Sequence, residues 1–229
     1  MIDISNNIRQ AVLPSSVFLF IICGLSLVAI VRYYYSENLK ESFQAIFNYR
    51  QALRLFDEQR ESDKQEAMFS NILFSLATGI YISLIFPFFQ AQPLWGSYEK
   101  SILFFSFATG LLFAVKAMIW KMFGVIFVTQ EFSKLYIYNM YLHNRITGFV
   151  IFPFVAIMPY VSEIITQYIV YGVIIVFILA YLLKICRIFA IIHTQNVSNM
   201  QFILYLCALE ILPLLLFAEC CKTLSESIL

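Results

Sequence analysis

Six long apolar runs, at residues 16–34, 68–89, 101–123, 146–161, 165–186 and 199–220, leave this chain few options. A helix that crosses the hydrocarbon of a bilayer needs roughly 20 mostly apolar residues, because lipid offers no partner to an open backbone N–H or C=O. The runs predict an all-α, polytopic membrane protein with about six transmembrane helices. No Pro/Gly/Ser-rich linker marks off a second unit, so residues 1–229 read as one membrane domain. The fourth run is short and holds Pro153 and Pro159, which leaves a kink and a hairpin shared with the fifth run both open. Composition agrees: 61% of residues are hydrophobic and 13% charged, where soluble proteins carry about 25% charged residues. A net charge of +1 supplies no basic field for nucleic acid. Asp3 and Arg9 make no basic leader and no small-residue cleavage site follows, so the first run is expected to be a retained helix.

Lys and Arg collect on the side of a bilayer that faces the cytoplasm. With the loop at 35–67 placed inside, that side holds Arg32, Lys40, Arg50, Arg54, Arg60, Lys64, Lys116, Lys121, Lys134, Arg145, Lys184 and Arg187, while the other holds Arg9, Lys100 and Lys222. The bias predicts a cell inner-membrane protein with both termini periplasmic. Two cytoplasmic segments are too long for turns. Segment 36–66 has no Gly or Pro, and Leu39, Phe43, Ile46, Phe47 and Leu53 share one side at helical spacing, as in a helix lying on the membrane surface or on the bundle. Its charged tail, Asp57 to Glu66, reads as solvated. Segment 124–142 also has helical spacing and is expected to continue the third span inward, bent at Gly124.

An echo links the second and third spans: residues 74–79 read FSLATG and residues 105–110 read FSFATG. Small residues inside spans allow helix backbones to approach closely. Ser75, Thr78, Gly79, Ser106, Thr109 and Gly110 are therefore candidate packing residues, and an inverted repeat around a midplane site is the functional counterpart.

The last run carries Glu210 with Pro213 three residues on. A carboxylate in the middle of a span costs about 2.5–3.5 kcal/mol on insertion scales, so it faces protein or water. Pro213 cannot donate to the Leu209 carbonyl, which leaves an acceptor beside Glu210. Glu210 reads either as a structural hydrogen-bonding group or as a proton or cation site. Cys207 shares its side of the helix, and Lys116 is a candidate partner through tilt or a bridging water. Lys116 can also snorkel outward or lie over Trp120. Arg50 and Arg54 fall among the apolar residues of segment 36–66, where lipid phosphate or another anion is the expected contact.

Chemistry is thinly signposted. The cysteines, at 23, 186, 207, 220 and 221, make no CxxC or Cys/His spacing and read as small apolar residues, with a thiol pair or lipidation site at 220–221 the alternative. His143 and His193 have no neighbour at metal-ligand spacing. No GxSxG, HExxH, P-loop or DxD pattern occurs. No catalytic residue, metal or cofactor is expected.

The blocks FNYRQALRLFDEQRESDKQEAMFSNILF at 47–74 and LYLCALEILPLLLF at 204–217 resemble a domain-of-unknown-function family of integral membrane proteins from Bacteroidota. The resemblance runs from about residue 30 to 222 and is most specific over Cys207–Pro213. It implies an inner-membrane multi-helix protein with no assigned activity and carries over no functional residue. The leading expectation is a non-enzymatic accessory or assembly subunit of an envelope complex or lipid process. A small proton-coupled transporter using Glu210 is the alternative, and a membrane-embedded lipid-modifying enzyme the third. The expected partners are the lipid bilayer and a membrane-protein partner or a second copy of the chain.

Overall fold

The computed structural model describes residues 15–58, 61–85, 97–126 and 130–195. The sixth run, 199–220, with Cys207, Glu210 and Pro213, lies outside the described residues. Every described element is helical: α1 (Ser15–Tyr34), α2 (Ser36–Phe47), α3 (Tyr49–Glu58), α4 (Glu61–Ile85), α5 (Tyr98–Ile126), α6 (Gln130–Ile157), a 3-10 turn (Met158–Tyr160) and α7 (Glu163–Gln195). Among them, α1, α4, α5, α6 and α7 are long and apolar enough to cross a membrane. The chain is thus all-helical and fits a multi-pass membrane protein.

Burial sorts these helices into a centre and a periphery. Within the spanning windows, 61% of α6 and 50% of α4 is buried against other helices, compared with 22% of α1, 22% of α5 and 17% of α7. The central stripe of α4 runs through Glu66, Ser70, Leu73, Ala77, Ile80 and Leu84, at alternating steps of three and four residues. Small residues set the helix spacing. A Cβ at Gly79 would stand 2.7 Å from the Ser106 backbone nitrogen of α5, and one at Gly148 of α6 would stand 2.8 Å from the Phe74 Cα of α4. These contacts also fix direction. Gly79 at Ser106, with the Phe74 ring 5.5 Å from Phe113, makes α4 and α5 antiparallel. Glu66 at Arg145, with Phe74 at Gly148, makes α4 and α6 parallel.

One end of the bundle therefore gathers the start of α4, the end of α5, the start of α6 and the end of α7, together with α2 and α3. It carries Lys116, Lys121, Lys134, Arg145, Lys184 and Arg187 and is called the cationic end below. Helices α5, α6 and α7 contain 29, 28 and 33 residues. At 1.5 Å per residue they are roughly 42–50 Å long, longer than the hydrocarbon thickness of about 30 Å. Their surplus turns enclose a second core of Trp120, Phe132, Leu135, Tyr136, Met140 and Ile188, in which Trp120 stacks on Tyr136 at 3.9 Å.

The structure divides segment 124–142 differently from the sequence reading. Helix α5 ends at Ile126, and Gln130–Ile157 is one helix that runs into the fourth span without interruption. The chain reverses between α5 and α6, where a Cβ at Gly124 would stand 2.7 Å from the Ser133 Cβ. Pro153 lies inside α6, and the 3-10 turn containing Pro159 leads toward α7.

Segment 36–66 contains two short helices and the start of α4. Asn48 breaks the first from the second with an extended backbone (φ −115, ψ 109), and its Oδ1 accepts from the Arg50 N–H at 3.1 Å as the cap of α3. Helix α2 lays its small residues, Ser42 and Ala45, against the bundle and leaves Phe43 and Phe47 exposed, their rings 6.2 Å apart.

Candidate functional site

The cationic end brings together charges that the sequence keeps far apart. Glu66 is 0% exposed and Arg145 is 4% exposed. Arg145 Nη1 donates to Glu66 Oε2 and to Ser42 Oγ, the latter at 2.9 Å, while Ser70 Oγ donates to Glu66 Oε1 at 3.2 Å. An ion pair so enclosed needs these extra hydrogen bonds, because each charge has lost its hydration. The pair joins α4 to α6, and Ser42 ties α2 to α6 through Arg145. A second arginine does similar work from α7: Arg187 Nη2 donates to Ala45 O and, at 2.7 Å, to Ile46 O, the last carbonyls of α2. Its guanidinium also lies 5.7 Å from the centre of the Tyr49 ring. A cation at the C-terminus of a helix satisfies open carbonyls and meets the negative end of the helix dipole.

Two cavities flank α6. Cavity I, about 640 Å³, lies among α3, α4, α5 and α6. Leu55, Phe56, Met68, Val125 and Ile137 give it apolar walls, and Lys121, Lys134 and Arg145 line it with positive charge. Arg145 Nε and Asn71 Oδ1 are buried on its wall without a hydrogen-bond partner among the described residues. Cavity II, about 220 Å³, lies among α4, α5, α6 and α7 and is lined by Lys116, Lys184, His143, Asn144, Thr78, Thr109 and Thr147 among apolar rings. Successive residues of α6 serve both spaces, His143 and Asn144 facing cavity II and Arg145 cavity I, as the 100° step of a helix requires.

The residues singled out in the sequence are distributed as follows. Lys116, Thr78 and Thr109 meet at cavity II. Gly79 lies against the Ser106 backbone, whereas a Cβ at Gly110 would find Ser75 Oγ at 3.5 Å, an ordinary contact. Arg50 is exposed, and Arg54 is exposed and pairs with Glu58, four residues on, at 2.7 Å. Neither is among the residues lining cavity I or cavity II. Trp120 stacks on Tyr136, over whose ring Lys184 lies at 5.8 Å. Glu210, Cys207 and Pro213 lie outside the described residues. Among the described residues no three His, Cys, Asp or Glu side chains come together as a metal site would require.

Over residues 17–220 the sequence matches the family described as Domain of unknown function (DUF4271). The chain belongs to the DUF4271 family. The match covers every described segment long and apolar enough to cross a membrane and also the run at 199–220. No curated protein and no solved structure matches this DUF4271 chain.

The sequence reading passed over Glu66, Arg145, Lys184 and Arg187 as site residues. It placed Glu66 at the end of a wet acidic run, yet Glu66 is the first member of the buried stripe of α4. The signal was its register, four residues before Ser70 and seven before Leu73.

Proposed function

We propose that this chain is a non-enzymatic protein of the cell inner membrane, an accessory or assembly subunit serving a lipid process, and that it holds an anionic amphiphile in cavity I. The reading includes a sixth span at 199–220, both termini in the periplasm, and a Bacteroidota envelope as its setting. Cavity I carries the proposal. Its volume, about 640 Å³, falls within the usual range for ligand pockets. Its walls are apolar, yet Lys121, Lys134 and Arg145 supply positive charge, and Arg145 Nε has a proton left to donate. That combination suits a molecule with a greasy body and a negatively charged head.

The test is purification in mild detergent, followed by native mass spectrometry of bound lipid and identification of co-purifying proteins. An anionic amphiphile should remain with the wild-type chain and be lost when Lys121 and Lys134 are both changed to Glu. A wild-type chain that carries no such molecule would reject the reading.

The second reading, a small proton-coupled transporter using Glu210, draws support from cavity II, a largely apolar space that holds Lys116, Lys184 and His143. A carrier would lose function in both Glu210→Gln and Glu210→Leu with the fold intact. A structural Glu210 would tolerate Gln and lose stability in Leu, by about 1–3 kcal/mol for a partner left buried and unpaired.

A further inference from the structure

The donors and acceptors around cavity II define a ligand more narrowly than its size does. His143 is 4% exposed, and its Nδ1 lies 2.8 Å from the Asn139 carbonyl oxygen. A carbonyl can only accept, so Nδ1 carries a proton, and in the neutral ring Nε2 carries the lone pair. Nε2 is buried and has no hydrogen-bond partner among the described residues, on a ring that lines the cavity. Lys116 and Lys184 are 5% and 8% exposed, line the same space, and are neighbours. The Thr78 and Thr109 hydroxyls spend their protons on the Phe74 and Phe105 carbonyls, at 2.8 and 2.7 Å, and so offer the cavity oxygen lone pairs.

Two lysine side chains, which donate when protonated, therefore stand beside acceptors that have no proton to give. An anion with no hydrogen suits the lysines but brings another lone pair to His143. An anion that retains one hydroxyl suits both. The space, about 220 Å³, would hold roughly seven waters at liquid density. A phosphate group fits it, and the acyl chains of a lipid do not.

We propose that cavity II binds a phosphate that keeps a hydroxyl: hydrogen phosphate itself, or the singly ionised headgroup of a phosphate monoester. Its bare oxygens accept from Lys116 and Lys184, and its P–OH donates to His143 Nε2. This site is separate from cavity I and does not depend on what that cavity holds.

Full-length protein in mild detergent, titrated with sodium phosphate or sodium sulfate at equal ionic strength and pH 7, tests the proposal through melting temperature and ³¹P line broadening. Sulfate keeps no proton at this pH. Wild-type protein should bind phosphate about tenfold or more tightly than sulfate, the worth of one hydrogen bond to a charged group. His143→Phe should bring phosphate down to the level of sulfate, whereas His143→Gln should keep the preference through its amide oxygen. Changing Lys116 and Lys184 together to Met should abolish binding of both anions. In nanodiscs at pH 6, where about half of a monoester is singly ionised, retention of phosphatidic acid over the diester phosphatidylglycerol would assign the site to a headgroup. A response to inorganic phosphate would assign it to the free anion. Equal affinity of the wild-type chain for phosphate and sulfate would overturn the proposal. So would the absence of binding by both phosphate and phosphatidic acid, the result expected if the chain's own Glu210 neutralises the lysines.

Discussion

The Glu66–Arg145 pair makes the sharpest claim at the scale of single residues. Both side chains are enclosed, so removing one strands the other. Glu66→Leu should cost about 3–5 kcal/mol, whereas Glu66→Leu combined with Arg145→Met should recover most of that loss, because an apolar pair has no charge left to desolvate. A double-mutant cycle on melting in detergent checks this, and equal melting of the single and double variants would contradict it. The two glycines of the echo make a second comparison. A methyl at Gly79 meets Ser106 backbone at 2.7 Å, whereas one at Gly110 meets only a hydroxyl at 3.5 Å. Gly79→Ala should therefore destabilise by about 1–3 kcal/mol as an overpacked contact, and Gly110→Ala should leave melting nearly unchanged. The sequence showed FSLATG and FSFATG as a matched pair. It could not show that one glycine is tight and the other loose, because that depends on how far each lies from the point of helix crossing.

At the scale of elements, Arg187 links α7 to α2 through two backbone carbonyls and can be removed cleanly. Arg187→Met should unravel the last turn of α2, seen as faster hydrogen exchange over residues 42–47 and easier proteolysis near Asn48. Arg187→Lys should restore this only in part, since one ammonium cannot reproduce the planar fork that spans two carbonyls. Exchange rates unchanged in Arg187→Met would show that Ser42 and Ala45 hold the helix by themselves. The spans of α1, α4, α5 and α7 were legible as uninterrupted apolar runs. Helix α6 was only half legible. Its first sixteen residues include Asn139, His143, Asn144 and Arg145, all buried, and a buried polar residue looks the same in sequence as a wet one. What separates the two is the partner, and the partners sit on other helices.

Across the whole molecule, the gathering of lysine and arginine at one end ties orientation to the site, since both cavities lie at or near that end. A single cysteine at position 60, on a cysteine-free background, should resist labelling by an impermeant reagent applied to the periplasmic face. Strong labelling would invert the proposed orientation and put both cavities on the outer leaflet side. The joining of Glu66 to Arg145 has one more consequence, which concerns time. The two are 79 positions apart, so a ribosome working at about 5–20 residues per second leaves Glu66 waiting roughly 4–16 s for its arginine. During that interval Glu66 lacks its Arg145 partner. The newborn α4 can settle to its final depth only after α6 has emerged. A change at Arg145 would therefore lower the amount of chain recovered from synthesis as well as the melting temperature of the protein that is recovered.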